Sequence, residues 1–173
     1  MRYAVLLRGV NIGGVKVTMA ELRTALAAAG FRGVKTLLAS GNVLLDSEDA
    51  RAVVKATCER VLRETFGYEA WVLVYDLGQL RDVRDGYPFA RVDEAMHPYV
   101  IFSEDGVSAS ELAKTPGLEA ATEQVQRGPH GVLYWRVRRD HTVDSAIGKA
   151  AAKARYKSST TTRNLRTVEK LLA

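Results

Sequence analysis

Three clusters of residues in this chain have types and spacings suited to holding an anion. In the first, Arg8 closes a short apolar run and leads into a glycine-rich stretch with Asn11, Gly13 and Gly14. The second is Ser40, Gly41 and Asn42, a turn signal that offers a hydroxyl and an amide. The third is the tract 158–164, where Thr162, Arg163 and Asn164 stand just before a short helical segment, residues 165–172. A guanidinium grips phosphate or carboxylate through two parallel N–H bonds. A helix N-terminus adds unpaired N–H groups and a partial positive charge. Lys149, Lys153 and Lys157 recur at i, i+4 and i+8, so a continuous helix would place them on one face.

Each cluster also has a plainer reading. The glycine stretch serves as a tight strand-to-helix connection. Ser40 and Asn42 serve as a turn, Thr162 or Asn164 as a helix cap, and the lysines as a solvated stripe. Better-known signatures are absent. Gly9 and Gly14 have the spacing of a P-loop, but Val15 stands where the lysine must be and Lys16 comes one residue late. Ser40 lacks the context of a nucleophile elbow. Ser145 and Lys149 are one residue too far apart for the S-x-x-K acylation motif. His97, His130 and His141 have no ligand spacing, so neither a metal site nor a cofactor is expected, and no catalytic residue is assignable.

The elements that must position these clusters follow from patterning. The chain has 173 residues, of which 47% are hydrophobic and 26% charged, which suits one or two small packed domains. Cys58 is the single cysteine, so no intrachain disulfide forms. The N-terminus runs into a strand without a signal-peptide pattern, and no apolar run reaches membrane-span length. A cytoplasmic protein is expected. The net charge of +5 is uneven. Residues 127–173 hold 11 Lys and Arg against Asp140, Asp144 and Glu169, a net +8, and the rest of the chain is slightly acidic. That asymmetry suits a phosphate-bearing partner.

Strands are expected at 3–7, 34–38, 43–45 and 70–75. Thr18 and Glu21 form a capping box for a helix that Gly30 ends, and a second helix spans 50–66. The order β-α-β-β-α-β is that of a split βαβ unit. Its first and third strands are expected to run in the same direction, which would separate Asn42 from Arg8. Residues 77–173 repeat the order loosely. They show a connecting helix at 77–83, strands at 99–102, 125–127 and 132–137, a helix at 108–114, and a long Ala-rich helix over 143–156. A helix after Asn164 stands where a closing strand belongs. The expected fold is α+β. It comprises two ferredoxin-like (α/β-plait) subdomains with antiparallel sheets, residues 1–76 and 77–173, the second ending in basic helices.

Four ordered motifs carry a resemblance. Arg8 to Gly14, Met19 to Arg23, Ser40 to Asn42, and Thr161 to Asn164 with Thr167 and Val168 resemble the bacterial family called domain of unknown function 1697. The resemblance implies two ferredoxin-like subdomains and no established activity. It marks Arg8, Asn11, Gly13, Gly14, Ser40, Asn42, Thr162, Arg163 and Asn164 as recurrent polar positions, with convergence on one pocket between the subdomains as the expectation. Leu165 stands where the family often has an aromatic residue, and Tyr87 where it often has Asn before Pro.

Three functions compete. The first is a module binding a phosphate-bearing ligand, a nucleotide or nucleic acid, through these residues and Lys149. The first and third expected strands lack the stacking aromatics of an ordinary RNA-binding plait, so nucleic acid would be held mainly by its phosphates. The second is an enzyme acting on a small phosphorylated or carboxylated substrate, held by Arg8, Lys149 and Arg163 and oriented by Asn42. The third is a regulatory or dimerisation domain. Sequence leaves the oligomeric state open.

Overall fold

The first strand, β1 (Arg2–Arg8), shows how the molecule is layered. Tyr3, Val5 and Leu7 point to one face and Ala4, Leu6 and Arg8 to the other, as strand geometry requires. The computed structural model describes residues 1–9 and 16–173. Asn11, Gly13 and Gly14 lie outside the described residues. The chain divides into two units, Met1–Gly78 and Gln79–Ala173.

In the first unit, β1 is followed by α1 (Met19–Ala28), β2 (Arg32–Leu37), β3 (Asn42–Asp46), α2 (Arg51–Phe66) and β4 (Trp71–Asp76). The four strands form an antiparallel sheet in the order β2-β3-β1-β4. Thr18 caps α1: its Oγ1 accepts from the Glu21 N–H and donates to the Glu21 carboxylate at 2.7 Å. Gly67 ends α2 in the left-handed conformation, φ 67°, where a Cβ would be strained. One sheet face packs on α1 and α2, burying Tyr3, Val5 and Leu7 with Leu22, Leu26, Val54, Cys58 and Leu62. The opposite face is also buried and apolar at Leu6, Leu44, Leu73 and Tyr75. Strands buried on both faces lose the polar alternation of a half-exposed sheet.

The second unit begins in α3 (Leu77–Asp85) and continues through β5 (Met96–Ser103), α4 (Val107–Ala113), β6 (Glu123–Arg127), β7 (Leu133–Arg138), α5 (Ala146–Ala151), β8 (Thr160–Asn164) and α6 (Leu165–Leu172). Its sheet is again antiparallel, in the order β6-β7-β5-β8. Ile101, Leu133, Trp135 and Val137 pack against Ala109, Leu112 and Ile147 from α4 and α5.

Three expectations are corrected. First, β1 and β3 are antiparallel, with Leu6 opposite Asn42, so the start of β3 lies beside the end of β1. Second, the tract leading to Asn164 is a strand. Thr160 to Asn164 pair with Ser103 to Tyr99 of β5 and supply the closing strand. Within the tract, Asn164 caps α6, its Oδ1 accepting from the Arg166 N–H at 3.0 Å. Third, the Ala-rich helix is short. Ser145 starts α5 by accepting from the Gly148 N–H, and Lys153 is already extended at ψ 141°. A 3-10 turn, Ala154–Tyr156, then places Tyr156 in the core. Lys149, Lys153 and Lys157 therefore do not share one helical face.

Candidate functional site

Antiparallel register assembles a polar corner at the end of the first sheet. Leu6 stands opposite Asn42 on one side and Leu73 on the other, and Arg8 stands opposite Trp71. These side chains share the sheet face that turns away from α1 and α2. The Leu7 N–H donates to the Gly41 carbonyl at 2.9 Å, which ties the β2–β3 turn to β1. Asn42 is fully buried, and its Nδ2 donates to the Leu37 carbonyl and to Ser40 Oγ, both at 3.0 Å. The turn includes Leu38 at φ 61°, a conformation that costs a non-glycine residue about 1–2 kcal/mol. Ser40 itself is exposed.

Arg8 is the unusual member. Its side chain is half-buried, and no hydrogen bond or ion pair holds it among the described residues. Its Nε is fully buried without an acceptor. Burial lowers its pKa from the ordinary arginine value. A desolvated cation of this kind gains most from a bound oxyanion, because the low-polarity surroundings strengthen the pairing.

The other sequence candidates lie in the second unit. On β8, Thr161 and Arg163 point to one face and Thr162 and Asn164 to the other. Arg163 is 7% exposed, and its Nη1 donates to Thr161 Oγ1 at 2.6 Å and to the Thr162 carbonyl at 3.0 Å. Lys149 lines a cavity of about 350 Å³ with Glu119, Glu123, His141 and Asp144. Glu123 belongs to the fold. Its buried carboxylate accepts from the indole N–H of Trp135 at 3.0 Å and from the N–H groups of Ala146 and Ile147 at 2.8 and 3.2 Å. The first turn of α5 thus has its anion supplied from within. No group of His, Cys, Asp and Glu among the described residues is arranged to hold a metal ion.

The structure therefore brings Arg8, Ser40 and Asn42 to one corner of the first unit, and Thr162, Arg163, Asn164 and Lys149 belong to the second unit. Trp71 escaped the sequence reading. Its place beside Arg8 depends on the β1–β4 register, which joins strands some sixty residues apart in the chain. No local motif marks it.

Comparison with other proteins adds the family. The family model described as protein of unknown function (DUF1697) matches residues 1–134. The chain belongs to that family. The match takes in Arg8, Ser40, Asn42 and Trp71, and ends before β8. No functionally curated protein matches the chain. Among solved structures, the conserved bacterial protein SP0830 from Streptococcus pneumoniae is similar, with a TM-score of 0.80 at 24% identity. The similarity covers 99% of this chain and 97% of that one. At that identity it speaks for the fold of this DUF1697 protein alone. Among the described residues, no helix is long and apolar enough to cross a membrane.

Proposed function

We propose that this protein binds a phosphate-bearing ligand at the corner formed by Arg8, Ser40 and Asn42. The observation that carries the reading is the Arg8 guanidinium, half-buried and without a partner among the described residues. Leaving a buried charge uncompensated costs several kcal/mol in general, which makes such a group rare unless something binds it. Asn42 supports the reading because it fixes Ser40 Oγ beside the same corner. The net charge of +5 favours approach of an anion from solution.

The test is a thermal shift of the purified protein and its Arg8→Gln variant against inorganic phosphate, sugar phosphates, nucleotides and short oligonucleotides. A ligand at about 100 times its Kd adds roughly 2.7 kcal/mol, which raises the midpoint of a domain this size by roughly 5–10 °C. The variant is expected to lose that shift. Without ligand, it is expected to be as stable as the parent or more so, since it no longer half-buries a charge that lacks a partner among the described residues. An Arg8→Gln protein that is less stable and still shifts with phosphate would show that Arg8 is structural.

A further inference from the structure

We infer that the Arg8 corner recognises a nucleotide, with Trp71 stacking on the base while Arg8 holds the phosphate. This rests on the anion-binding reading above and names the class of ligand. Arg8 and Trp71 are direct cross-strand neighbours on one face. Such pairs place their Cβ atoms about 4.5–5.5 Å apart. A single ligand touching both must carry a flat ring and a negative group close together. A nucleoside monophosphate does so, whereas inorganic phosphate or a sugar phosphate satisfies only the arginine. Trp71 is half-buried. Leu6 and Leu73 continue that face and are fully buried. The aromatic sits on β4, outside the two strands whose composition speaks against an ordinary RNA-binding plait.

Titration calorimetry with adenosine monophosphate, ribose 5-phosphate and inorganic phosphate tests this on the parent, Trp71→Leu, Trp71→Phe and Arg8→Gln proteins. A 5′-phosphorylated tetranucleotide forms a further arm. Base–aromatic stacking predicts that the parent prefers the mononucleotide over ribose 5-phosphate by roughly 5- to 150-fold. Trp71→Leu should erase that preference and leave ribose 5-phosphate binding unchanged, and Trp71→Phe should keep part of it. Equal affinity for the mononucleotide and ribose 5-phosphate in the parent overturns the nucleotide assignment while leaving the anion site standing. A preference that survives in Trp71→Leu overturns the role of Trp71. Absence of binding to every phosphate compound, in a parent with a native circular dichroism spectrum, removes the anion site and this inference with it. Tighter binding of the tetranucleotide would identify the source of the nucleotide as a nucleic-acid end, and tighter binding of the monophosphate a free metabolite. Both support the stacking site.

Discussion

Arg8 differs from the other partly buried cations in what surrounds it. Arg136 donates to Asp93 at 2.7 Å and to Gln124 at 3.2 Å, and Arg2 pairs with Asp46 at 2.9 Å. Arg163 is bound to its own strand. Those arginines are explained by the fold, whereas Arg8 has no side-chain partner among the described residues. Glu123 is the opposite case, a buried charge fully used by structure. Its three N–H donors let it act as an internal ligand for α5, so its removal should affect folding. Glu123→Gln places an amide N–H₂ against at least one of those donors. Hydrogen bonds to a charged group contribute about 1.5–3 kcal/mol, so the variant is expected to lose roughly 2–4 kcal/mol in urea unfolding. An unchanged midpoint would show that the carboxylate is dispensable to α5. Arg8 and Glu123 were both visible as charged residues in sequence. Which was paired was not, because the Trp135 indole and the α5 N–H groups reach Glu123 only through the folded second sheet.

Elements were legible where local signals agreed with tertiary demand. Thr18 and Glu21 marked the start of α1, Gly67 the end of α2, and the apolar runs the central strands. Disagreement came in the region after β7. Helix propensity favours a long helix across its alanines, but burial of Tyr156 and pairing of β8 with β5 require the chain to leave the helix at Ala152. The polar tract Thr160 to Asn164 reads poorly as a strand because its two faces are both hydroxyl-rich. Its β propensity comes from branched threonine, and its pairing from β5. Gly148 shows the same contest within α5. Alanine is worth about 1 kcal/mol over glycine in a helix interior. At this position, however, a Cβ would fall inside contact distance of the Thr142 carbonyl oxygen, a backbone atom that cannot swing away. Overpacking of that kind costs about 1–3 kcal/mol. Gly148→Ala is therefore expected to lower the thermal midpoint, and a raised midpoint would show that the loop before α5 yields freely.

At the scale of the whole molecule, the two units repeat one plan. The strand order β2-β3-β1-β4 of the first matches β6-β7-β5-β8 of the second, position for position. Cys58 offers a probe of the first unit. It lies within that unit's core on α2, and burial, with a smaller contribution from the Glu59 charge, pushes its thiol up to about 12. Thiolate is the reactive form. The folded protein is therefore expected to resist alkylation at pH 8 and to react with one equivalent only as the first unit unfolds in denaturant. Fast labelling under native conditions would mean that α2 opens readily. The amino-acid sequence by itself determined the α+β class, the order of elements in the first unit, the family and most helix ends, since these depend on apolar periodicity and capping groups close along the chain. Only the tertiary structure decided that Thr160 to Asn164 close the second sheet, that Glu123 is claimed by α5, and that Arg8 meets Asn42 and Trp71. The physical reason is register: strands distant in sequence are aligned by backbone hydrogen bonds and shared burial, and neither leaves a mark on any short stretch of residues.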